Sequence, residues 1–247
     1  MTEKTFNKWF NAFILIGMTV AMILATAIKL RDADSGRAML IVAAFGSLMG
    51  VLCTVCSANG KIWTFFFGIL DVSIYAVMCF IGAKYGNAAL HALYFFPMQF
   101  VGFFQWKKRG AKEGGAVKAR RFTPKQWLLY GGIFLAAAIV VYFILAHFDQ
   151  EAADSFIKVA VLADAVSTVC NLLGQLLLSM AYMEQWFFWI GVNVFTIIMW
   201  AVTLSKGTSD TGYAVIYIIK YSFYLLNSLN GLRIWIGLSK EAQSLDI

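Results

Sequence analysis

The chain has 247 residues, of which 61% are hydrophobic, 16% aromatic and 13% charged. An ordinary soluble domain carries roughly 25% charged residues, so a water-soluble shell cannot be built from this composition. The net charge of +7 falls on one short segment, 107–125, and leaves the rest of the chain neutral; this is the basic loop that the positive-inside rule expects beside membrane spans, and no nucleic-acid partner is expected.

Only two prolines occur, and the apolar runs approach the ~20 residues that cross a hydrocarbon core of about 30 Å. An all-α integral membrane protein of about eight transmembrane helices is therefore expected, since barrel strands would alternate polar and apolar residues. Breaks at charged or Gly-rich positions place the spans near 11–29, 38–56, 62–83, 87–106, 126–147, 155–181, 184–205 and 211–236.

The first run follows Lys4 and Lys8 and contains Ala25-Thr26-Ala27; it has some features of a cleaved signal, but retention as a span is expected. Span two holds Cys53 and Cys56 as a C-x-x-C with no second pair or His cluster, so buried thiols are expected rather than zinc or a redox site. Span three carries Asp71 near its middle. Span four presents His91, Phe95, Gln99 and Trp106 along one face, and Pro97 is expected to bend it because proline lacks an amide hydrogen. A lone intramembrane His without a carboxylate at ligand spacing predicts no metal, and no cofactor is expected.

The 107–125 loop contains eight basic residues (Lys107, Lys108, Arg109, Lys112, Lys118, Arg120, Arg121, Lys125) and one acid, Glu113. Fixing it in the cytoplasm places both termini inside and the acidic segment 149–154 outside.

Polar residues at membrane depth usually face a bundle interior or a cavity. In span six Asp164, Thr168, Asn171 and Gln175 recur at i, i+4, i+7 and i+11, one helical stripe, with small Gly174 beside them. That stripe serves either helix–helix hydrogen bonding or the wall of a permeation path. In span seven Trp186, Trp189 and Asn193 fall at i, i+3 and i+7 on one face, after Glu184 and Gln185, which mark the membrane edge. Indole surfaces near an amide suit a flat heterocycle bearing a carboxamide or carbonyl, although an interfacial tryptophan belt gives the same pattern. Span eight carries Lys220 near mid-depth, followed by Tyr224, Asn227 and Gly231 at i+4, i+7 and i+11, with Tyr217 and Tyr221 on an adjacent strip.

An internal repeat is expected. Trp63 with Gly68 recurs as Trp186 with Gly191, Gly102 with Trp106 recurs as Gly231 with Trp235, and Asp71 stands near the place of Asn193. A shift of four spans makes the repeat parallel, with span five as the inverting linker. The expected plan is an extra N-terminal helix (1–37), a first three-helix repeat (38–106), a basic loop with linker helix (107–150), and a second three-helix repeat with a C-terminal tail (151–247).

Asn171-Leu172-Leu173-Gly174-Gln175, Glu184-Gln185-Trp186 through Trp189 and Asn193, and Gly231-Leu232-Arg233-Ile234-Trp235 resemble the bacterial nicotinamide riboside transporters, the PnuC family, related in architecture to SWEET transporters. The resemblance extends over most of 40–237 and departs at Asp71, where a strict copy of the second repeat would have Asn. It implies a facilitator in the lipid of the bacterial inner membrane that carries nicotinamide riboside without ATP or ion coupling, and a homotrimer with one path per subunit. The residues expected to bind substrate are Trp186, Trp189, Asn193, Gln99, Asn227, Asn171, Tyr224 and Asp71.

Two other readings compete. Lys220 and Asp71 stand where a retinal Schiff base and its counter-ion would be wanted, and other vitamin precursors such as thiamine or riboflavin would also suit an aromatic, amide-bearing path. An enzyme is not expected: the sequence has no G-x-S-x-G elbow, H-E-x-x-H pair or Walker loop.

Overall fold

The computed structural model describes residues 2–32, 36–111, 115–148, 155–205 and 211–245. The acidic segment 149–154 lies outside the described residues, as do Lys112 and Glu113 of the basic loop. The elements are helices: α1 (Glu3–Asp32), α2 (Arg37–Ala58), α3 (Trp63–Ile81), α4 (Tyr85–Leu90), a π-turn (His91–Phe95), α5 (Phe96–Lys108), α6 (Pro124–Phe148), α7 (Ser155–Ser179), α8 (Gln185–Ser205) and α9 (Thr211–Leu245).

Taking α4 through α5 as one interrupted rod gives eight rods. Six of the helices, α1, α2, α3, α6, α7 and α8, are long and apolar enough to cross a membrane by themselves. The rod from Tyr85 to Lys108 is divided into shorter pieces. In α9, Lys220, Asn227, Asn230 and Arg233 dilute the apolar character. The irregularity expected at Pro97 takes the form of the π-turn just before it. Pro97 has no N–H for the carbonyl four residues back, and the helix widens so that the Phe96 N–H reaches the His91 carbonyl, five residues back.

Tight turns join several of these helices. α2, α3, α5 and α7 each give way to a left-handed residue, at Gly60 (φ 64°), Ala83 (φ 56°), Gly110 (φ 80°) and Ala181 (φ 60°). In each, the next N–H reaches back five residues: Lys61 to Cys56, Lys84 to Cys79, Ala111 to Trp106 and Tyr182 to Leu177. These bonds satisfy carbonyls that a helix end would otherwise leave orphaned.

Two compact units are distinguished: Met1–Ala119 with Ser179–Ala181 and Arg233–Ile247, and Arg120–Leu178 with Tyr182–Leu232. In the first, α1 buries Ile14, Met18 and Ala21, a stripe at i, i+4 and i+7. Its outer turns are tied down by polar contacts. Asn11 and Asn59 exchange amide hydrogen bonds of 3.0 and 3.1 Å, and the Arg233 guanidinium bridges Glu3 at 2.9 Å and also bonds Asn7. The centre of this unit is aromatic: Trp106 and Trp235 are fully buried, 5.3 Å apart, and the Trp235 indole N–H donates to the Ser57 carbonyl.

In the second unit, α6 buries no residue of its most apolar window, and Leu128 is 81% exposed. Apolar surface of that extent is stable against lipid and not against water.

The described residues of the basic loop, 107–111 and 115–125, are held by backbone bonds as a strap. Within the first unit Lys118 and Arg109 exchange bonds, the Lys118 N–H donating to the Arg109 carbonyl and the Arg109 Nε to the Lys118 carbonyl, while the Val117 N–H donates to the Gly60 carbonyl. Within the second, the Met183 N–H donates to the Arg120 carbonyl, and the Arg120 guanidinium lies 4.4 Å above the Tyr182 ring. Val117, Ala119 and Phe122 are buried, whereas Lys118, Arg120 and Arg121 are exposed. An extended segment with near two-residue alternation thus keeps its charge on the surface.

Glu184 is only 2% exposed, and its Oε1 accepts the Phe122 N–H at 2.9 Å. Burial pushes its carboxyl above the ordinary carboxylate range, against the Phe122 and Glu184 N–H groups and the Arg121 charge, which pull the other way. A carboxyl with a raised folded pKa binds its proton more tightly folded than unfolded, so stability should fall as pH climbs from about 4.5 through the raised value. Melting curves against pH should show that slope, and Glu184→Gln, which keeps an oxygen for Phe122, should flatten it; an identical slope in the variant would remove Glu184 as its source.

Candidate functional site

Three helices of the second unit, α7, α8 and α9, carry six of the eight expected site residues. The fit between them depends on glycines. At Gly231 of α9 a β-carbon would stand 2.5 Å from the Trp186 six-membered ring, so the ring occupies the space that a side chain would need. Trp186 is consequently 2% exposed. It is a packed ring rather than an interfacial one.

Trp189 lies across Gly174 of α7, whose β-carbon would be 3.1 Å from its Cε2. Its indole N–H points to Gln185 Oε1 at 3.4 Å, and Gln185 in turn donates to the Tyr182 carbonyl at 3.0 Å. Unlike Trp186, it remains half-buried, with part of its ring open. One turn along, Asn193 donates from Nδ2 to the Trp189 carbonyl at 2.8 Å and to the Ser228 hydroxyl at 3.1 Å. Both amide hydrogens are thereby committed within the protein, and the carbonyl oxygen is what Asn193 can offer a ligand.

Asn227, beside Ser228, is fully buried. Tyr224 is half-buried, with its ring 5.8 Å from that of Tyr221. Asn171, half-buried one turn before Gly174, donates to the Ser167 carbonyl at 3.1 Å, and Gln175 is buried.

The other two expected residues belong to the first unit. Gln99 is buried, donates to the Phe95 carbonyl at 3.2 Å, and sets its oxygen against the bare backbone of Gly68. Asp71 rests its carboxyl group on Gly50, where a β-carbon would be 3.0 Å away. The ring admitted by Gly102 here is Phe65, edge-on to Trp106 at 4.9 Å, while Trp63 is 49% exposed. One contact occurs in both units: a cysteine sulfur against a helix glycine, Cys53 against Gly68 in the first and Cys170 against Gly191 in the second.

Four further residues support these groups. Ser228 anchors Asn193, Gln185 orients Trp189, and the buried Ser167 and Thr196 bond at 3.2 Å below them. The i, i+4 spacing of Gln185 and Trp189 was the available signal for one of these; the others depend on partners 29 and 35 positions away.

Residues 40–237 match the family model described as nicotinamide mononucleotide transporter. The chain belongs to this family. Among its relatives, a nicotinamide riboside transporter PnuC of Neisseria mucosa is 35% identical over 207 residues, 81% of this chain and 73% of that one. A protein of the same name from Haemophilus influenzae is 29% identical over 97% of this chain and 96% of its own length. A crystal structure of the vitamin B3 transporter PnuC superposes with a TM-score of 0.64 at 30% identity, covering 98% of this chain and 94% of the other. Membership makes the chain a multi-pass membrane transporter and not an enzyme.

Proposed function

We propose that the protein carries nicotinamide riboside across the bacterial inner membrane by facilitated diffusion. The observation that bears most weight is the pairing of a partly open indole, Trp189 laid on Gly174, with an amide held rigid by Ser228, Asn193. Stacking serves the nicotinamide ring, and the Asn193 carbonyl oxygen serves its carboxamide N–H. Trp186 backs Trp189 from its niche on Gly231, while Asn227, Tyr224 and Asn171 line the same wall. In the first unit, taken by itself, Gln99 and Asp71 are the polar groups proposed to meet substrate, in keeping with the proposed plan of an extra helix followed by three, one and three spans. The names of the relatives support the cargo.

The passive mode is part of this proposal, and what supports it is the lack of a motif for direct use of ATP. The sequence holds no nucleotide-binding loop, and the strap between α5 and α6 is too short for such a domain. Purified protein in liposomes, with the membrane potential clamped at zero, should equilibrate riboside without concentrating it, whatever proton or sodium gradient is imposed. Accumulation that depends on either gradient would replace facilitated diffusion with ion coupling and bring Asp71 and Asp164 forward as coupling groups.

The orientation proposed is cytoplasmic for both termini and for the strap, whose exposed Lys118, Arg120 and Arg121 satisfy the positive-inside rule. A cysteine introduced at exposed Gly115 should react with an impermeant thiol reagent only after cells are opened; reaction in intact cells would invert the topology. A homotrimer with one path in each subunit completes the reading, and the mass of the purified complex in detergent tests it.

A further inference from the structure

α8 and α9 run antiparallel in a register fixed by three contacts. Trp186 sits on Gly231, Asn193 bonds Ser228, and Trp200 stacks on Tyr217. The last contact is a parallel stack, with centroids 4.4 Å apart and planes 4° from parallel. Trp189, Asn193, Thr196 and Trp200 follow one another at i, i+4, i+7 and i+11 on α8, so Trp200 stands about 16 Å further along the same stripe as Trp189. On α9 the matching stripe descends through Asn227 and Tyr224 to half-buried Lys220 and Tyr217.

The Lys220 ammonium lies 5.8, 5.9 and 5.7 Å from the centroids of Tyr217, Tyr221 and Tyr224. All three lie within the ~6 Å at which a ring face attracts a cation. A lysine midway along a membrane-crossing helix needs its charge compensated, and three phenol rings contribute to that compensation. The electron-rich surface that holds an ammonium would also hold a flat organic cation. The ring nitrogen of nicotinamide riboside is quaternary, so the cargo is such a cation.

We propose that Trp200, Tyr217, Tyr221 and Tyr224 form a second aromatic station, for cationic rings, in which Lys220 is a resident charge that the cargo displaces. This rests on the riboside reading above. Lys220 is then a specificity-determining residue: it raises the barrier for a cationic ring and leaves a neutral one nearly unaffected.

The test compares the cationic riboside with its neutral dihydro form in proteoliposomes at zero membrane potential. Lys220→Met should lower KM for the cation about five- to tenfold and change that for the neutral form less than about twofold. Lys220→Arg should behave as the wild type, and Tyr217→Leu should raise KM for the cation more than for the neutral form. Equal shifts for both cargoes, or no shift for the cation in Lys220→Met, would overturn the proposal while wild-type riboside uptake stands. If wild-type protein carries neither form, the transport reading itself fails. Lys220→Gln repeats the neutralisation with a polar side chain, and failure of both neutral variants to fold would make the charge structural and overturn the proposal.

Discussion

Gly231→Val is expected to abolish riboside uptake, and Gly231→Ala to reduce it about tenfold, by way of overpacking that costs roughly 1–3 kcal/mol in a tight core. The β-carbon would arrive 2.5 Å from Trp186 Cη2 and 2.6 Å from Cζ2 and Cζ3, well inside the ~3.5–4.0 Å of carbon–carbon contact. The obstacle is a flat, buried ring, not the free end of a flexible chain, so a few tenths of an ångström of adjustment do not relieve it. Trp186 precedes Trp189 by three residues on α8, and displacing one indole disturbs the seat of the other on Gly174. Gly237→Ala is the control: it lies on the same helix with open space around its β-position, and a small gain in helix stability is expected. Uptake into liposomes and the thermal midpoint in detergent separate the two variants. Normal transport by a folded Gly231→Val protein would remove the glycine niche from the account of the site.

The long apolar runs and their helical stripes were legible because both are local properties. Trp186, Trp189 and Asn193 share a face by spacing alone, and α8 buries Asn193 and Thr196 on it, whereas the α7 stripe is graded, with Gln175 buried, Thr168 and Asn171 half-buried and Asp164 exposed. What spacing did not distinguish is which indole is packed and which is open. That depends on glycines in other helices, Gly231 beneath Trp186 and Gly174 beneath Trp189, and sequence order does not say which glycine meets which ring.

Glu184 and Gln185 show the same limit from the polar side. Two polar residues before an apolar run read as a membrane edge, yet both are buried, because the Phe122 N–H and the Tyr182 carbonyl come to meet them. The donor to Glu184 is 62 positions away in the chain, so only the folded strap brings that partner to the buried carboxyl group. The strap carried a visible signal in Val117-Lys118-Ala119-Arg120, whose alternation belongs to an extended segment with one face buried. The length of α9 was underestimated for a related reason. Its last turns are amphipathic and extend past the apolar run, with Trp235, Ser239 and Ala242 buried at i, i+4 and i+7.

Trp189→Ala and Asn193→Leu are expected to weaken riboside binding while leaving the protein folded, each through a different term. Removing the Trp189 ring forfeits stacking worth about 0.5–1.5 kcal/mol beyond its area, and Kd should rise roughly three- to tenfold. Asn193→Leu leaves the cargo's carboxamide without an acceptor at a buried position, at about 1–3 kcal/mol, or roughly 5- to 150-fold in Kd. The same change removes the bonds to the Trp189 carbonyl and the Ser228 hydroxyl, so part of the loss could be structural. Ser228→Ala separates the two contributions. It deletes one anchor of the amide and leaves the Asn193 carbonyl oxygen in place, so it should cost binding less than Asn193→Leu does. Asn193→Asp retains an acceptor oxygen but gives up both Nδ2 donations, which should compromise the orientation of the group more than its chemistry. Calorimetric titration of the purified variants gives the affinities, and quenching of tryptophan fluorescence by the nicotinamide ring reports stacking directly. Quenching should largely disappear in Trp189→Ala and persist in Asn193→Leu at saturating riboside. Persistence in both would move the stacking partner from Trp189 to another ring of the second unit, with Trp200 next on the same stripe.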